Sequence, residues 1–277
     1  MRATTAMGCL LAGSMLASTA VHAADYVSLP GGSFESVLPQ DVPGGAKAVD
    51  IAAFAMRTRP VTTAEFLAFV RSHPQWQRGK VPEVFAQGAY LADWREPLEP
   101  GSTHPANTPV TGVSWFAAGA YCESEGARLP TWLEWEYAAA ADETRTDARG
   151  DEQWRRRILA WYERPAAAVL PDVGSAANVY GVRDLNGLVW EWVDDFNALF
   201  ISGDSRTQGD PDKLQFCGAG AISIVKRDSY AVMMRVALLS SLTAADSTSS
   251  LGFRCARPVD HGIPDAPESR SANKEAR

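Results

Sequence analysis

PVTGVSWFAAGAYCESEGARLPTWLEWEYAAAA, residues 109–141, is the best-organised stretch of the chain, and its reading sets the rest. Ser114 stands where a helix cap is wanted. Its hydroxyl can accept one of the backbone amides left free in the first turn. The helix it opens would turn Ala118, Tyr121 and Cys122 inward. Gly126 suits the left-handed residue that stops such a helix. Leu129-Pro130 then forces an extended step, because a proline excludes its predecessor from helical backbone. A second helix starts at Thr131, where Glu134 completes a capping box in which each side chain satisfies a free amide.

Working outward, VSLPGGSF (residues 27–34) reads as a strand, a Pro-Gly-Gly turn and a second strand start. Partial alternation continues through AVDIAAFAMRTRPVT, which predicts extended chain. In TTAEFLAFVRSH, Thr62 and Glu65 have capping-box spacing, and Phe66, Phe69 and Val70 form a stripe at i, i+3, i+4. Residues 74–108 are rich in proline, glycine and polar groups and read as a long surface excursion, either shaping a binding face or simply a loop. Residues 141–157 are highly charged and read as a solvated insertion or an exposed helix. The tail from Val259 has no apolar period and is expected to be disordered. With 22 glycines and 17 prolines, regular structure is thin. The expectation is a single α+β domain over residues 24–258, rich in irregular coil and built on one core.

The totals bound the function. A chain of 277 residues, 46% hydrophobic with a formal charge of -7, has ordinary globular composition. Its mild acidity argues against a nucleic-acid partner, which usually leaves a basic patch. The N-terminus offers Arg2, a weakly apolar run and the small-residue exit Val21-His22-Ala23, so residues 1–23 read as a secretory signal cleaved after Ala23. Gly8-Cys9 lies too early, and inside the apolar run, for a lipoprotein. No later stretch reaches the ~18 uninterrupted apolar residues of a membrane helix. The mature chain is therefore expected to be exported, periplasmic or secreted, with no membrane span. Of four cysteines, Cys9 leaves with the signal, and Cys122, Cys217 and Cys255 remain in an oxidising compartment. An odd count predicts one bridge and one leftover thiol, and spacing alone leaves the pairing open.

The chemistry gathers in DLNGLVWEWVDD, Asp184 to Asp195. Extended backbone would send Trp190 and Trp192 to one face and Glu191 to the other, back toward the turn made by Asp184, Asn186 and Gly187. Carboxylates beside loop carbonyls suit a hard cation such as Ca²⁺. The alternative is a turn whose glutamate accepts backbone amides. The spacing is not that of an EF-hand. His73, His104 and His261 have no i, i+4 partners, which excludes a helical zinc pair, and no phosphate-binding glycine motif is present. In FCGAG, residues 216–220, small neighbours leave room around the Cys217 sulfur, which is reactive, buried and inert, or part of the bridge.

Five pieces, VSLPGGSF, FAMRTRPVTTAEFLAFV, PVTGVSWFAAGAYCESEGARLPTWLEWEYA, YGVRDLNGLVWEW and SSLTAADSTSSLGFRCA, resemble the formylglycine-generating-enzyme family, also called the sulfatase-modifying-factor domain. They occur in family order across residues 27–257, nearly the whole mature chain. The resemblance implies a coil-rich domain of the C-type-lectin type and a disulfide between Cys122 and Cys255, leaving Cys217 free. It also implies a Ca²⁺ held by the side chains of Asp184 and Glu191 and the carbonyls of Gly187 and Val189. The aerobic enzymes of the family bind Cu(I) between two cysteines. Counting back from Cys255, those positions are Lys226 and Ala231, and neither has a sulfur. Soft thiolates select Cu(I), so copper is not expected here.

The chain thus looks unlike a sulfatase activator. It resembles the exported branch that includes the pyoverdine-maturation protein PvdO and the nitrite-reductase-linked NirV proteins. That resemblance implies an oxidoreductase-type maturation factor for a peptide, cofactor or metalloenzyme. Its pocket would lie between Trp190, the Cys217 loop and a Tyr230–Arg235 strand. Arg235 would pair an anionic substrate group, while Trp190 and Tyr230 would stack on a planar one. The rival expectation is a non-catalytic, Ca²⁺-stabilised binding or accessory module. A purely structural envelope protein fits the polar loops less well.

Overall fold

The computed structural model describes residues 26–38, 48–164, 167–199 and 230–259. Cys217, the expected signal and the expected tail beyond Val259 lie outside the described residues. Among those described, the strands are β1 (Tyr26–Leu29), β2 (Gly32–Glu35), β3 (Ala48–Ile51), β4 (Phe54–Arg57), β5 (Trp190–Glu191), β6 (Leu251–Gly252) and β7 (Ala256–Pro258). The helices are α1 (Thr63–Ser72), α2 (Trp115–Ser124), α3 (Trp132–Ala139), α4 (Glu152–Tyr162) and α5 (Tyr230–Ser240).

The strands form three small sheets: β1-β4-β7, β2-β3 and β5-β6. The first two are antiparallel, and β5-β6 is parallel. The Pro-Gly-Gly turn separates strands that belong to different sheets, since β1 pairs with β4 and β2 with β3. Gly31 makes this possible. Its φ is +67°, and a Cβ there would lie 2.1 Å from the Ile51 carbonyl oxygen, so no other residue fits. β4 sits between β1 and β7, and all four of its residues are buried.

The predicted caps are present. Thr62 and Glu65 exchange both bonds of a capping box at α1, and Thr131 and Glu134 do so at α3. Ser114 accepts the Ala117 amide at 3.2 Å, and Gly126 has φ +67°. The predicted stripes face inward: Phe66, Phe69 and Val70 from α1, and Ala118, Tyr121 and Cys122 from α2. Cys122 and Cys255 are disulfide-bonded with their Cα atoms 5.5 Å apart, tying α2 to the chain just before β7. Deleting a bridge over so long a loop typically costs about 2–5 kcal/mol. Arg57 of β4 adds a polar knot, donating to Glu65 of α1 at 2.5 Å and to Glu125, beyond α2, at 2.6 Å.

Two expectations are corrected. The excursion at 74–108 is not purely surface chain: Tyr90, Leu91 and Trp94 are buried, and Trp94 meets Phe66 edge-on at 6.4 Å. Its turns carry three large apolar groups into the core from otherwise polar sequence. The expected Tyr230–Arg235 strand is the start of α5. Val232, Arg235, Val236 and Leu239 turn inward at i, i+3, i+4, i+7, the helical period, and Met, Ala, Leu and Arg are good helix formers. The charged 141–157 segment leads into α4, capped by Asp151, with only Ile158 of the helix buried.

Candidate functional site

Glu191 is the centre of the site. β5 contributes only Trp190 and Glu191, paired in parallel with Leu251 and Gly252. The backbone here is tightly fitted, since a Cβ on Gly252 would lie 2.6 Å from the Val110 carbonyl oxygen. Glu191 is fully buried. Its two carboxylate oxygens accept a fork of bonds from Arg254, Nε to Oε2 at 2.8 Å and Nη2 to Oε1 at 2.7 Å. Trp135 of α3 donates its indole N–H to Oε2 at 2.9 Å. Arg254, also fully buried, spends its remaining donors on the carbonyls of Arg183 at 2.9 Å and Arg57 at 3.3 Å. One ion pair therefore joins β5, the β6–β7 connection, the end of β4 and the 183 loop.

A second guanidinium meets the same residue. Arg235 of α5 is buried and donates Nη2 to the backbone carbonyl of Glu191. Its guanidinium lies over the Trp135 ring, 3.6 Å from the centroid. The Arg235 Nε–H has no hydrogen-bond partner among the described residues. Burial pushes this guanidinium down to about 10, and the nearby Glu191 charge only partly opposes the shift. Desolvation of a cation disfavours its charged form, which accounts for the direction.

Arg235 and Trp190 line one small pocket with Trp135, Trp161, Tyr162, Leu185, Asn186, Val189 and Val232. Its volume is about 10 Å³, the space of roughly one water. The roof is the end of α4: the Trp161 and Tyr162 rings lie 5.0 and 5.2 Å from that of Trp190. The two tryptophans flanking Glu191 have separate roles. Trp192 is fully buried, packs on Phe196 at 5.0 Å and donates to the Val113 carbonyl.

Of the predicted substrate-pocket residues, the structure brings Trp190 and Arg235 together. The backbone of Tyr230 is placed at the start of α5, and its side chain lies outside the described residues, as does Cys217. Trp135, Trp161, Tyr162 and Arg254 were not anticipated. Arg254 is adjacent to Cys255 in the GFRC piece, but its partner is 63 residues away, a pairing no local spacing reveals.

The two expected side-chain ligands of calcium are engaged otherwise. Both Glu191 oxygens serve Arg254 and Trp135. The Asp184 oxygens accept the amides of Gly174 at 2.7 Å and Ser175 at 3.0 Å. Gly187 lies against the Trp161 ring, and Val189 is buried in the pocket wall. A divalent ion on Glu191 would have to share that carboxylate with a buried guanidinium, at a repulsion that low dielectric magnifies. As arranged, these residues do not fit a resident calcium ion. Among the described residues no group of three or more His, Cys, Asp or Glu side chains could hold a metal.

A second, more open hollow of about 440 Å³ lies between Trp76, Val81, Phe85, Trp115 and Phe116, with Glu123, Arg128 and Asp194 also in its lining. Arg128 is held there by a two-pronged pair with Glu134.

Small sheets, capped short helices, one helix-to-strand disulfide and a buried Glu191 between Trp190 and Trp192 define a coil-rich α+β domain of the formylglycine-generating type. Residues 13–259 match the Sulfatase-modifying factor enzyme 1-like domain, and the chain belongs to that family. It is 32% identical to a formylglycine-generating enzyme of Streptomyces coelicolor, covering 84% of this chain and 89% of that protein. It is 30% identical to an inactive C-alpha-formylglycine-generating enzyme 2 of Mus musculus, over 85% and 87% of the two chains. Among solved structures it resembles PvdO from Pseudomonas aeruginosa, with 20% identity, TM-score 0.44, and coverage of 84% of this chain and 94% of that one. No helix among the described residues is long and apolar enough to cross a membrane.

Proposed function

We propose that this chain is an exported, periplasmic maturation factor of oxidoreductase type that acts on a peptide or protein-borne substrate and does not activate sulfatases. The observation that carries the reading is the convergence of Trp190 and Arg235 on one pocket. Trp190 offers a stacking face for a planar group, and Arg235 offers a charge-assisted donor for an anionic one. Lys226 and Ala231, the positions the family resemblance implies for the copper ligands, carry no sulfur, which supports a reaction other than copper-dependent oxidation of a sulfatase cysteine. Cys217 is the redox-active group in this reading, and its reactivity would follow the thiolate. Oxygen uptake by the purified protein, across cysteine-bearing peptides and catechol-like donors, tests it. Uptake with one donor class is expected in the wild type and none in Cys217→Ser, with the fold retained by circular dichroism. Undiminished uptake in Cys217→Ser removes that thiol from the mechanism.

A second reading, a non-catalytic binding or accessory module, is favoured by the pocket lining. Its described residues include no thiol, imidazole or carboxylate. No uptake with any donor, together with retention of one periplasmic partner on the immobilised protein, would select it.

A further inference from the structure

We propose that the closed pocket beside Trp190 binds a planar carboxylate, seated on the Nε–H of Arg235, and that the end of α4 swings aside to admit it. This deepens the reading of Trp190 and Arg235 as a substrate pocket and rests on it.

The first reason is charge. Two buried guanidiniums, Arg254 and Arg235, flank a single buried carboxylate, Glu191. Arg254 takes both carboxylate oxygens, and Arg235 receives only the backbone carbonyl. Buried charges are normally paired, and an unpaired one is costly to hold. The Glu191 centre therefore carries one more positive than negative charge within its hydrogen-bonded group.

The second reason is the orphaned donor. The Nε–H of Arg235 is buried without a partner among the described residues, on a side chain that lines the pocket. A guanidinium edge matches a carboxylate, as Arg254 and Glu191 demonstrate next to it. Trp135 already covers the guanidinium face, leaving the edge for a ligand. The remaining walls are Trp190, Leu185, Val189 and Val232 with one polar side chain, Asn186, which favour a flat, largely apolar body behind the anionic group.

The third reason is the roof. At about 10 Å³ the pocket is too small for such a ligand while Trp161 and Tyr162 lie over Trp190. α4 is the least anchored helix of those whose burial is described throughout, with only Ile158 buried. Two of its ion pairs, Arg156–Glu152 and Arg157–Glu143, are largely exposed. Exposed pairs hold little. Displacing the end of α4 therefore disturbs the contacts of Trp161 and Tyr162, those with Trp190 among them, and little of the buried core.

Calorimetric titration of the full-length protein with benzoate and its neutral analogue benzamide tests the proposal. Benzoate should bind saturably and at least about tenfold more tightly than benzamide, the ratio expected of one charge-assisted bond. Cyclohexanecarboxylate, which is not flat, should bind more weakly than benzoate. Arg235→Lys keeps the charge, loses the guanidinium edge and should weaken benzoate by about tenfold. Equal binding of benzamide, or no saturable binding of benzoate, would overturn the proposal on the wild type alone, whatever the variant's folding. The titration needs no turnover, and the Cys217→Ser assay does not touch Arg235. Failed benzoate binding with intact Cys217-dependent uptake sinks only this proposal. The reverse outcome sinks only the oxidoreductase reading.

Discussion

Arg254 and Arg235 both reach Glu191, and both are buried, yet their surroundings differ. Arg254 meets a carboxylate edge-on and fills its remaining capacity with backbone carbonyls from two other segments. Arg235 meets one carbonyl and one indole face and keeps an unmet donor. The contrast separates two uses of a buried cation. A fully paired guanidinium joins pieces of chain that have little regular structure to join them. A partly paired one is an expense the fold does not need, and it lies against the single pocket wall that carries Trp190. Satisfied polar groups mark architecture, and an unsatisfied one at a pocket marks a place where something binds.

Removing each arginine should break the symmetry of the pair. Arg254→Met leaves Glu191 buried with no counter-ion but Arg235, which meets only its backbone carbonyl. A loss of about 3–5 kcal/mol is expected, read from urea denaturation midpoints with unchanged slope. A loss under about 1 kcal/mol would mean that the Glu191–Arg254 pair does not hold the segments together. Arg235→Met should fall within about 1 kcal/mol of the wild type, because replacing a poorly paired buried charge by a similar apolar side chain is often neutral. The sign follows from its titration. A cation whose folded pKa lies near 10, below its unfolded value, withdraws stability at neutral pH, and that stability returns only as pH rises through about 10 and above. A destabilisation as large as that of Arg254→Met would place Arg235 among the structural pairs and erase the distinction.

The smallest expected effect is that of chelation. With Glu191 neutralised by Arg254, melting in EGTA should match melting in added calcium. An ion bound at a hundredfold its dissociation constant would add roughly 2.7 kcal/mol. A midpoint raised by calcium would return the Asp184–Glu191 loop to the metal that the family resemblance implies and reopen the pairing of Glu191.

Much of the fold was legible because its signals are local. Thr62 with Glu65 and Thr131 with Glu134 carry their caps within four residues, and Gly126 marks a helix end by its own conformational freedom. The disulfide came from family resemblance, since spacing among Cys122, Cys217 and Cys255 does not choose a pair. What stayed hidden depends on distance in sequence. Trp94 enters the core from a polar loop and meets Phe66, 28 residues earlier in the chain, there. α5 was misread because a six-residue window, Tyr230 to Arg235, is too short to separate helical from extended period, whereas Leu239 settles it. Trp190 and Arg235, which the sequence singles out, line one pocket, but its roof of Trp161 and Tyr162 leaves no mark in the sequence, because a charged segment gives no sign of where its last turn packs. The capture of Glu191 by Arg254 likewise turns an apparent metal ligand into a buried ion pair.

The most direct test of that division of labour is crystallographic. Crystals of the protein grown with 4-bromobenzoate should show a bromine anomalous peak beside Trp190. The carboxylate should lie about 2.9 Å from the Arg235 Nε, with Trp161 and Tyr162 displaced and the Glu191–Arg254 fork unchanged. A closed aromatic roof with no bromine beneath it, or a carboxylate that draws Arg254 away from Glu191, would contradict the account.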